Sequence, residues 1–138
     1  MATVELRFSA LPEHVRTARL VAAAVARRAG VDESILDEVR LAVGEACSRA
    51  VGLHRGSGVD QPVRVVLVED EKKFSIEVGD AVPEGAVSAG APGEEAGEES
   101  EMGLAVISGL VDDLEVSSGE EGGTIRMTWP VTPASLLP

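Results

Sequence analysis

The chain has 138 residues, enough for one domain with a real core, and a net charge of −12. The charge is uneven: residues 1–60 hold eight acids and eight bases, while residues 61–138 hold sixteen acids and four bases. So acidic a second half argues against nucleic acid or an anionic membrane as partner. A basic, apolar leader and an apolar run of about 18 residues are both missing, which argues against secretion and a membrane span. One cysteine, Cys47, allows no internal disulfide. The expected compartment is the cytoplasm. Aromatic residues are nearly absent, so the core should be aliphatic, with Phe8, Phe74 and Trp129 as its bulky pieces.

In chain order, Val4, Leu6 and Phe8 alternate with polar neighbours and predict a short half-buried strand. Pro12 and Glu13 suit a helix start. Val15, Ala18, Val21, Ala22 and Val25 then recur at helical spacing, and Gly30 supplies a stop. Asp32 is a good N-cap for the next helix. That helix has the cleanest amphipathic pattern present. Leu36, Val39, Val43, Ala46, Cys47 and Ala50 form its apolar face. Glu38, Ala42, Glu45 and Arg49 form a stripe along one border of that face. The helix is expected to fade over Gly52 to Gly58. Two readings of Glu45 and Arg49 stand open: a surface i,i+4 ion pair, or charges presented to a ligand cavity.

Val63 to Glu69 and Lys73 to Gly79 read as a hairpin, with Phe74, Ile76 and Val78 inward. From Ala81 to Glu101 the composition changes to glycine, proline and six glutamates, with no base. It predicts a long flexible acidic loop, a candidate lid. Met102 to Leu110 predicts a short apolar helix, and Leu114 to Ser118 a strand. Thr124 to Trp129 closes the sheet, with Ile125, Met127 and Trp129 on one side. Residues 131–138 are a tail. Residues 1–130 therefore predict a single α/β domain, an α+β two-layer sandwich. Its mixed, mostly antiparallel sheet of about five strands would carry three helices on one face. His14 and His54 have no second His or Cys at ligand spacing, so no metal site is expected.

Four stretches carry a resemblance. They are Leu41-Ala-Val-Gly-Glu-Ala-Cys-Ser-Arg-Ala-Val51, Ile76-Glu-Val-Gly-Asp80, Met102-Gly-Leu-Ala-Val106 with the strand after it, and Gly123-Thr-Ile-Arg-Met-Thr128. In this order they resemble the histidine-kinase-like ATPase (GHKL) superfamily. The likeness is to the small anti-sigma-factor serine kinases of bacterial partner-switching systems. The resemblance implies that Glu45 stands where the family has its general base. It implies that Asp80 stands where the family contacts the adenine amino group, and Gly103 and Leu104 where it holds phosphate. The implied partners are a sigma factor and a STAS-domain anti-sigma antagonist, with a homodimer possible through the first strand and first helix.

The departures point away from efficient catalysis. Arg49 occupies the place of the family's Mg²⁺-binding asparagine. A guanidinium has five donors and no acceptor, so it cannot ligate a hard cation. Val82 and Glu84 stand where glycines would let the backbone approach a nucleotide. Glu101 stands where the lid's first glycine would be. The expectation is a regulatory binding protein with impaired or absent kinase activity and no cofactor. ATP with Mg²⁺ is the ligand if the degenerate site still binds, and an active serine kinase is the alternative function. A third reading is an unrelated α/β domain with a structural role.

Overall fold

Alternation in the first residues lays down β1 (Ala2–Phe8), whose Val4, Leu6 and Phe8 face inward and whose Glu5 and Arg7 face out. The computed structural model describes residues 2–83 and 102–131. The chain then turns into α1 (Glu13–Ala29), which begins after Pro12 and ends at Gly30. Gly30 adopts a left-handed φ of 101°, a conformation that strains any residue with a Cβ. Asp32 opens α2 (Glu33–Ser57) by accepting the Ser34 amide at 2.9 Å. A tight link at Gly30 and Val31 thus folds the two helices into an antiparallel pair.

The second helix runs further than its sequence suggests. Gly52 and Gly56 lie inside it, and it closes only at Gly58 with φ of 66°. Each glycine costs about 1 kcal/mol of helix propensity. Burial of Val51 in the core and the two hydrogen bonds of buried His54 offset that cost.

β2 (Val63–Glu69) and β3 (Lys73–Gly79) form the expected hairpin. A seven-residue helical segment over 102–108, α3, buries Gly103 and Ile107. β4 (Asp113–Ser118) and β5 (Gly123–Pro130) complete a sheet of order β1-β2-β3-β5-β4. The sheet was expected to be mixed, but every pairing in it is antiparallel. Its strands join by hairpins or by the helical excursions, and none needs a parallel crossover.

The register explains the core. Leu67, Ile76 and Met127 stand side by side across three strands, as do Val65, Val78 and Ile125. All are buried, and they pack with Leu36, Val39, Val43 and Cys47 of α2 in one cluster. Phe74 and Trp129 are cross-strand partners whose rings stack at 6.4 Å. Trp129 donates its indole N–H to the Leu110 carbonyl at 3.0 Å, tying the chain after α3 to the sheet. The opposite face carries Glu77, Arg126 and Glu115 in one row and meets solvent. No helix among the described residues is long and apolar enough to cross a membrane. Apart from residues 81–83, the expected lid lies outside the described residues, as does the tail beyond Val131.

Candidate functional site

The site is built from one helix, one strand end and one short helical segment. α2 presents its border stripe on successive turns. Ala42 is buried beneath the stripe, Glu45 is exposed and Arg49 is half-buried. The carboxylate of Glu45 faces α3: a Cβ placed on Gly103 would lie 3.5 Å from Glu45 Oε2. That is ordinary contact distance, so the backbone at Gly103 comes close to Glu45. Leu104 is different. It is partly buried and packs against the core cluster, so its side chain serves packing.

Asp80 follows the last residue of β3. Its backbone N–H donates to the Gly123 carbonyl at 3.0 Å. Its Oδ1 accepts the amides of Val82 at 2.9 Å and Gly123 at 3.1 Å. One carboxylate oxygen is thus committed to the backbone on both sides. The β4–β5 turn must come very close for this to happen. Gly122 has φ of 141°, and a Cβ there would overlap the Asp80 carbonyl oxygen. Glycine is required at that position for both reasons.

Arg49 and Asp80 are near enough to act on each other. Burial draws the Arg49 pKa below the usual guanidinium range, and the negative charge of Asp80 pushes it back up. A guanidinium stays charged in such a setting. The residues around Asp80 therefore do not suit a divalent cation, because Arg49 brings a fixed positive charge and no acceptor atom there. Among the described residues, no three His, Cys, Asp or Glu side chains stand together in a way that could hold a metal ion. Val82 is buried, and its amide bonds the Asp80 carboxylate, so its side chain fills space beside Asp80.

Two residues that matter were missed in the sequence. His54 is fully buried, and both ring nitrogens are engaged. Nδ1 lies 2.9 Å from the Gln61 carbonyl, and Nε2 accepts the Ala81 amide at 2.9 Å. These partners assign the neutral tautomer with the proton on Nδ1. The available signal was spacing, since His54 continues the apolar face set by Cys47 and Ala50. Gly122 carried no comparable signal. An open concavity of about 410 Å³ lies on the other side of Asp80, with Arg7, Arg64, Gly79 and Thr124 in its lining. Those four share a register row on the helix-free face of the sheet, away from α2. Both arginines are already paired with Glu5.

Comparison with known proteins adds an independent finding. A family model described as a histidine kinase-like ATPase domain matches residues 8–129. A serine-protein kinase RsbW of Bacillus pumilus is 30% identical over 138 residues, covering 91% of this chain and 83% of that protein. Another serine-protein kinase RsbW, from Oceanobacillus iheyensis, is 27% identical over 131 residues, covering 83% of this chain and 78% of that protein.

Proposed function

Because the chain belongs to the histidine kinase-like ATPase domain family, we propose that it is an anti-sigma-factor-like regulator of a bacterial partner-switching system. In this reading it acts in the cytoplasm. It binds a sigma factor, a STAS-domain anti-sigma antagonist, or both, and it can pair with a second copy through β1 and α1. Its ATP-dependent phosphoryl transfer is impaired or absent. Likeness to two serine-protein kinases over most of the chain supports the kinase-like scaffold on which this reading and the kinase alternative both rest.

The observation that carries the impaired half is Arg49. It stands half-buried within the electrostatic reach of Asp80, on the helix that also bears Glu45. Phosphoryl transfer depends on a metal ion and on positioned phosphates. A built-in guanidinium repels the metal, and Val82, where the resemblance expects a glycine, puts a buried side chain beside Asp80.

A second reading, an active Mg²⁺-ATP-dependent serine kinase acting on a STAS antagonist, draws on a different observation. Glu45 and Gly103 still face each other, as a base and a phosphate-holding turn would have to. The deciding experiment mixes the purified chain with candidate sigma factors and STAS-domain antagonists, with and without Mg²⁺-ATP. Binding without phosphoserine by mass spectrometry is the expected result. Stoichiometric phosphorylation of the antagonist would establish the second reading. Failure to bind any candidate of either class would remove the regulatory reading.

A further inference from the structure

His54 is a buried titratable side chain with no part in the reading above, and its two hydrogen bonds join three separate pieces of the chain. The ring sits near the end of α2. Gln61 lies just before β2, and Ala81 lies just after β3. Arg64 pairs with Gly79, so the start of β2 and the end of β3 emerge at the same end of the sheet. The imidazole therefore clamps both emerging chain segments to the helix.

The Ala81 amide belongs to the same planar peptide as the Asp80 carbonyl. Its N–H end is held by His54 Nε2. Its carbonyl end packs against Gly122, where no Cβ could fit. Fixing both ends of a rigid plane fixes the backbone of Asp80, and the Asp80 carboxylate in turn meets the amides of Val82 and Gly123. We infer that His54 is the positioning residue for Asp80, orienting the Asp80–Ala81 peptide, and through it the carboxylate, toward an adenine-type base. The inference rests on the nucleotide-site reading of Asp80. It also means that one helix governs the whole site, because α2 carries Glu45 and Arg49 and anchors Asp80 at a distance.

The test uses the full chain labelled with nitrogen-15, as wild type, His54→Phe and His54→Gln. Phe removes both hydrogen bonds, while Gln can donate to Gln61 and accept from Ala81. With folding checked by circular dichroism, His54→Phe is expected to speed amide exchange at Val82 and Gly123 by about 10-fold, the equivalent of one lost hydrogen bond. Val43 and Ile76 should be unchanged relative to global stability, and His54→Gln should restore the protection. Unchanged exchange at Val82 and Gly123 in His54→Phe would overturn the inference, as would a well-folded His54→Gln that fails to restore it. Should His54→Phe not fold, the wild-type ring decides. Nitrogen shifts showing a proton on Nδ1, with coupling from Nε2 to the Ala81 amide, support the assignment, and a proton on Nε2 overturns it. A fluorescent ADP analogue reports on the underlying reading separately. Binding that weakens in His54→Phe and returns in His54→Gln supports the role toward the base. Failure of the wild type to bind the analogue overturns Asp80 as a base contact, while amide exchange still decides whether His54 holds the loop.

Discussion

The Asp80 carboxylate accepts the backbone amide of Gly123 at 3.1 Å, a bond that joins the end of β3 to the start of β5. The bond exists because Gly122, the residue before it, lets the turn press against the Asp80 carbonyl. Gly122→Ala should therefore push the two strand ends apart. The strained φ alone is worth about 1–3 kcal/mol. Urea unfolding of the variant should show a loss of at least that size, and an unchanged midpoint would contradict the close approach.

Arg49→Asn combined with Val82→Gly and Glu84→Gly replaces the three residues that the motif resemblance reads as departures. This variant should gain a Mg²⁺-dependent thermal shift with ATP. Ligand at 100 times its Kd adds about 2.7 kcal/mol of stability, and the comparison is made within the variant because Val82→Gly also opens a void. A shift no larger than that of the wild type would mean that Arg49 and Val82 are not what blocks the site.

Trp129→Phe removes the indole N–H that bonds the Leu110 carbonyl. The loss of that bond and of part of a buried ring should cost about 1–3 kcal/mol by chemical denaturation. Trp129 is the only tryptophan, so wild-type fluorescence reads the seating of the segment after α3. Its emission should shift red in step with global unfolding measured by circular dichroism.

The N-cap carboxylate of Asp32 lies below the usual range, chiefly because it accepts the Ser34 backbone amide and then the Ser34 hydroxyl. A carboxylate with a lowered folded pKa stabilises the fold above its unfolded value of about 3.9, and that help disappears as pH falls through the folded value. Asn caps helices without this charge. The gap in melting temperature between wild type and Asp32→Asn should therefore narrow between neutral pH and pH ~3. A gap that stays constant with pH would rule out the charged cap.

Burial in the core pushes the Cys47 thiol up to about 12. Thiolate is the reactive form. A water-soluble disulfide reagent should label native protein only as fast as it opens, and urea should accelerate labelling to the rate of a free thiol. Rapid native labelling would place Cys47 outside the core.

Much of the fold was legible because it rests on local periodicity. Leu36, Val39, Val43 and Cys47 announce a buried helix face, and Phe74, Ile76 and Val78 a half-buried strand. The end of α2 was not legible, since Gly52 and Gly56 argue against helix and the burial of Val51 and His54 overrides them. The bonds among the candidate site residues were not legible. The approach of Glu45 to Gly103 and the capture of Asp80 by Gly123 both join residues far apart in sequence. No spacing rule encodes such contacts, because they arise only when the sheet has closed.

The antiparallel seam between β1 and β2 has a kinetic consequence. Phe8 meets Val63 only after the entire helical pair has been laid down between them. The β2–β3 hairpin and the α1–α2 turn close over a few residues, so they form early and at small entropic cost. The N-terminal strand docks late and has a neighbour on one side only. It is, with β4, one of the two edge strands of the sheet, and each time it peels away it uncovers the flank of β2 beside Val65 and Leu67. Opening at that edge sets how often the molecule offers an unpaired strand to another chain.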